Sequence, residues 1–106
     1  MRLAAAMGVT LACLLAACPG SRAQAQRPQG AELAERLGCL ACHAHNGPGG
    51  KLAAPLDGVG SRLTAGELAL VIAYPRQRHP GAKMPSYAYL PPAEQAALVE
   101  FLQTLK

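Results

Sequence analysis

Two cysteines and two histidines fall within the seven residues Cys39 to His45 of the stretch "LGCLACHAHN", and no other histidine precedes His79. Thiols at this spacing suit four kinds of chemistry: a metal site, a redox dithiol, a disulfide, or anchorage of a larger group. A structural zinc site takes four ligands, normally with a second pair downstream, and no second Cys pair follows this one. Adjacent Cys42 and His43 would also bind one tetrahedral ion awkwardly. A thioredoxin-like dithiol belongs after a strand in a βαβ pattern, and the sequence before Cys39 carries no strand signal. A disulfide across two intervening residues closes too small a loop to add much stability. Anchorage is the reading that remains.

Read as a helix, positions 39, 42 and 43 are i, i+3 and i+4, which puts both thiols and the His43 imidazole on one face. That geometry suits a flat macrocycle lying against the helix. Cys39 and Cys42 would tether two vinyl groups as thioethers while His43 reaches a central iron, and C-x-x-C-H is the attachment signature for c-type haem. Such an iron usually takes a second axial ligand. Of three methionines, Met1 and Met7 lie in an apolar leader, which leaves Met84 in "GAKMPSY". Methionine is ordinarily core filler, yet Met84 stands between Lys83 and Pro85 in a Gly/Pro loop, on no amphipathic stripe. It is the expected second ligand. His79, the rival, sits beside Arg78 and Pro80 and reads as solvated, and His45 is too close to His43 to reach the opposite side of a haem.

Three helical segments would position these groups. The first is predicted over about Gly30 to His43, where Leu33, Leu37 and Leu40 repeat at helical spacing. The second opens at "TAGE", where Thr64 and Glu67 form a capping-box pattern, and it stops near Tyr74 because Pro75 cannot continue it comfortably. The third follows "PP": Pro92 suits a first helical position, Glu94 the positive end and Lys106 the negative end. Its apolar stripe is Ala97, Leu98, Phe101, Leu102 and Leu105. Two Gly/Pro-rich stretches, 44–62 and 74–92, lie between the helices. Loops of that length in a small domain are functional or disordered, and here they are placed to wrap a bound object.

The 106 residues allow one small domain, and its beginning reads as a leader. Arg2 is followed by an apolar run without charge until Arg22, the layout of a secretory signal. Two processing sites compete. "AQA" (Ala23 to Ala25) makes 1–25 an ordinary signal peptide, whereas "LAAC" (Leu15 to Cys18) makes 1–17 a lipoprotein signal, Cys18 a lipidated N-terminus and 19–29 a tether. Cleavage after Ala25 leaves eight Lys/Arg against six Asp/Glu, a net charge of +2. So mild a basicity, with no Lys/Arg run, gives no nucleic-acid signature. With no Trp and one Phe, the domain is marginal on hydrophobic burial alone and needs a staple.

From Gly30 to Lys106 the chain resembles the class I monohaem c-type cytochromes of small bacterial type. "GAELAERLGCLACH" is similar to their first helix running into the haem motif, "PGAKMPSY" to their Met-ligand loop, and "LVEFLQTLK" to a C-terminal helix that crosses the first and supplies an aromatic, here Phe101. "APLDGVGSR" resembles the loop in which a proline carbonyl orients the axial histidine. The resemblance thereby implies that role for Pro55, and it implies that Arg62 lies near a haem propionate. Ala34 departs from the pattern, which has an aromatic near that position, and leaves Leu33 or Leu37 to fill the crossing. The implied fold is all-α, three main helices with long loops wrapping one covalently bound haem c in a domain over 30–106. The implied function is single-electron transfer between redox protein partners, not enzymatic turnover. The implied location is the periplasm, soluble or anchored through Cys18, with Lys51, Arg76, Arg78 and Lys83 as a basic rim for docking. The competing reading is a gas sensor or peroxidase-like protein in which Met84 is labile.

Overall fold

The computed structural model describes residues 29–106; the leader, both processing sites and Cys18 lie outside the described residues. Helix α1 (Gln29–Arg36) buries Leu33 and Ala34, with Glu32 in its first turn and Arg36 in its last, as the helix dipole favours. It ends seven residues earlier than the leucine periodicity predicts. Gly38 adopts a left-handed conformation (φ 74°), which glycine enters without steric cost and which stops a helix. Past it, Cys39–Ala41 form one 3-10 turn, a separate element from α1.

Two short helices arise inside the predicted loops: α2 (Val59–Arg62) and α4 (Pro75–Arg78). Between them α3 (Ala65–Ala73) starts at the predicted capping box. Thr64 Oγ1 accepts from the Glu67 amide at 3.2 Å and Glu67 Oε2 from the Thr64 amide at 2.9 Å. Pro75 ends α3 and also opens α4 as its first residue, where its missing N–H is no loss. Helix α5 (Pro92–Gln103) begins at Pro92 as expected. Lys106 does not cap it; its Nζ donates to the Gly60 carbonyl at 3.0 Å, while the Gly60 amide donates to Leu105, so the chain end is latched to α2.

Helices α1 and α3 both pack against α5. Their meeting surface is a core of Leu33, Ala34, Ile72, Tyr87, Leu90 and Leu98. The loop after Met84 is tied to the end of α3, with the Tyr87 amide donating to Ile72 and Ser86 Oγ to Ala73. Among the described residues no strand forms; one bridge joins Ala44 and Gly49. The all-α class follows.

Candidate functional site

The C-x-x-C-H motif occupies the 3-10 turn and its exit. Cys42 N donates to the Cys39 carbonyl at 3.3 Å and His43 N to the same oxygen at 3.0 Å. In a 3-10 turn residues i and i+3 eclipse, so the thiols share one side for a different reason than a continuing α-helix would provide. The next loop is laced onto the motif: Gly50 N donates to Leu40 O, Ala53 N to Cys42 O and Leu56 N to Ala44 O. The two thiols differ in setting. Cys39 is half-buried and Cys42 exposed. Burial, with Cys42 close by, pushes the Cys39 thiol up from its ordinary value, the opposite of what a reactive dithiol needs.

His43 is fixed by its second nitrogen. Its Nδ1 lies 2.6 Å from the carbonyl oxygen of Ala54. A carbonyl only accepts, so Nδ1 carries the proton and Nε2 keeps a lone pair available to a metal. The acceptor is Ala54 and not Pro55, contrary to the expectation from the sequence. Successive carbonyls of an extended chain point to opposite sides, and the residue before a proline is held extended. Pro55 thus sets the conformation of Ala54 while its own carbonyl turns away, accepting from Arg62 Nη2 at 3.3 Å. Arg62 Nη1 donates to the Asp57 carbonyl, so both terminal nitrogens of Arg62 lie on backbone of this loop.

Met84, 41 positions after His43 in the chain, packs at the edge of the core. Cys39, His43 and Met84 together line one apolar crevice, walled by Ile72, Tyr87 and Leu98. Sequence gave no reason to single out Tyr87 over Tyr89, but Tyr87 is buried and Tyr89 is 72% exposed. The Tyr87 hydroxyl donates weakly to Leu37 O at 3.4 Å, and burial raises its pKa. A second cleft borders Ala34, Cys39, Phe101 and Leu105. Neither Leu33 nor Leu37 lines it. His45 lines that cleft and not the crevice, and His79 is exposed.

Among the described residues no group of three or more His, Cys, Asp or Glu could hold a metal ion, so a protein-only zinc site has no donor set. The crevice instead offers one imidazole nitrogen, one thioether sulfur and a thiol at its lip. No buried side-chain nitrogen or oxygen among the described residues lacks a partner. Soft and imidazole donors around an apolar cavity fit an iron macrocycle. The family model for cytochrome c matches residues 28–106. The chain belongs to the cytochrome c family. Cytochromes of this family carry covalently attached haem c and pass electrons to and from redox proteins through its iron. Searches of curated proteins and of solved structures returned no match. No helix of the described residues is long and apolar enough to cross a membrane.

Proposed function

We propose that this cytochrome is a periplasmic monohaem electron carrier whose haem is tethered by Cys39 and Cys42 and whose iron is ligated by His43 and Met84. The observation that carries this reading is the convergence of Cys39, His43 and Met84 on one apolar crevice. The bound group supplies one reversible electron at its iron, and a Met/His ligand pair raises its potential. The chain contributes the rest. Ala54 keeps the His43 proton on Nδ1; the walls from Ile72, Tyr87 and Leu98 exclude water. Of the crevice-lining side chains only Cys39, His43 and Tyr87 titrate. With His43 on iron, Cys39 in a thioether and the Tyr87 hydroxyl turned to Leu37, no acid–base group is left for peroxide chemistry. That favours a carrier over an enzyme. In the reduced exported protein, carbon monoxide is expected not to bind; ready binding would open the sixth position and turn the reading to a sensor or peroxidase.

Docking falls to Lys51, Arg76 and Lys83, all exposed. Arg78 drops out of the expected set because its Nη1 is paired with Glu67 Oε1 at 3.2 Å. Three free cations steer acidic partners, so electron transfer to such a partner slows as salt rises; a rate indifferent to ionic strength would remove them from docking. Export is directed by the leader, and the mass of the mature N-terminus separates cleavage after Ala25 from a lipidated Cys18.

A further inference from the structure

The carbonyl that orients His43 sits on a loop in which Leu56 is half-buried against the crevice while Ala54, Pro55 and Asp57 are exposed. Backbone bonds from Ala53 to Cys42 and from Leu56 to Ala44 join the segment to the motif, and side-chain ties add to them. Arg62, one helical turn beyond it in α2, grips it twice, through the carbonyls of Pro55 and Asp57. Asp57 adds a tie of its own: its Oδ1 accepts from the Asn46 amide at 3.0 Å. Asn46 belongs to the loop that leaves His43, and it holds a positive φ of 52°, uncommon for a residue other than glycine. The Asp57 carboxylate thus fastens the strand of chain after His43 to the strand that carries the Ala54 carbonyl.

We infer that Asp57 and Arg62 are a pair of positioning residues that hold the Ala54 carbonyl on His43 Nδ1 and so set the donor strength of His43 toward iron. The inference rests on the reading of His43 as the iron ligand. A hydrogen bond at Nδ1 makes the imidazole a stronger donor, and a stronger donor favours the oxidised iron. Loosening the clamp therefore raises the reduction potential and exposes the Nδ1 proton to solvent. Arg62 acts here through the geometry of its fork, which lysine cannot reproduce although it keeps the charge.

The experiment uses the full, haem-loaded exported protein with Asp57→Ala, Asp57→Asn, Arg62→Lys, Arg62→Gln and the Asp57→Ala/Arg62→Lys double variant. Two quantities are read: the reduction potential, and the exchange rate of the His43 Nδ1 proton by NMR in the reduced protein. Asp57→Ala and Arg62→Lys each speed exchange relative to the parent protein, and both raise the potential. Asp57→Asn keeps an oxygen acceptor and stays near the parent protein. The double variant exceeds the larger single effect by less than the sum, because both residues hold one loop. The clamp is overturned if Arg62→Lys matches the parent while Arg62→Gln shifts the potential, for Arg62 would then act as a counter-charge to a haem carboxylate. Unchanged exchange in Asp57→Ala overturns it as well; should that variant fail to accumulate, Arg62→Lys decides alone. Spectra showing His43 off the iron would sink the ligand reading only, and the exchange rates would still judge the clamp.

Discussion

The proton on His43 Nδ1 is placed by one backbone oxygen, that of Ala54, and a comparable local economy operates at Glu67. Its carboxyl is held below the usual carboxylate range, first by the Thr64 amide and then by Arg78. Because the folded value lies below the unfolded one of about 4.3, the stabilising contribution is complete at neutral pH. It fades only as pH falls through the lowered value. Amide protection in the first turn of α3 is therefore expected to be flat near neutrality and to drop in acid, and Glu67→Gln should weaken it at neutral pH while removing the acid step. An acid step that survives in Glu67→Gln would assign it to another group. At this scale the side chains with distinctive chemistry were legible: Cys39, His43 and Met84 are named by motif or by solitude, and the structure brings them to one crevice. Ala54 was not legible, since the group it contributes is a carbonyl that every residue has. Asp57 was missed because Asn46-Gly47 signals the turn but not that the Asn46 amide reaches a carboxylate 11 residues further on.

Elements impose a different constraint, centred on the crossing of α1 and α5. Gly30 lies in that contact so tightly that a Cβ there would collide with the Ala97 carbonyl and the Cβ of Phe101. In an unconstrained helix Gly→Ala stabilises by about 1 kcal/mol. Here backbone must move apart, so Gly30→Ala is expected to destabilise by about 1–3 kcal/mol, read from the thermal melt of the haem-loaded protein; a raised melting temperature would mean that the two helices are not in this contact. The starts of α3 and α5 were readable because a capping box and Pro92 are chemical signals tied to position. The end of α1 was misread because Leu40 continues the 3.6-residue rhythm although it lies past Gly38 and is 40% exposed. Helices α2 and α4, four residues each, are too short for any periodicity to register.

For the molecule as a whole, the buried apolar side chains among the described residues are nine hydrophobic residues and Pro75, a small core, and three of them, Ile72, Tyr87 and Leu98, wall the crevice. The sequence composition anticipates this shortage, and the family supplies what fills it, a covalent haem. The haem-free chain should therefore lack a stable fold. A Cys39→Ala/Cys42→Ala protein is predicted to show little helical signal and no cooperative melt, whereas a native helical spectrum with a cooperative transition would show that the polypeptide holds itself together. The overall class was legible because three helices of ordinary length and two Gly/Pro-rich connections leave few other arrangements. The crevice itself was not, since it is made by α3, α5 and the Met84 loop meeting across the chain.

The most direct test of the account is the ferric optical spectrum of the purified exported protein, read for the weak near-infrared band that sulfur–iron ligation gives. The account predicts that the band is present and is lost in Met84→Ala. A parent protein without the band, or a Met84→Ala protein that keeps it, would contradict the placement of Met84 on the iron and with it the closed, electron-carrying site.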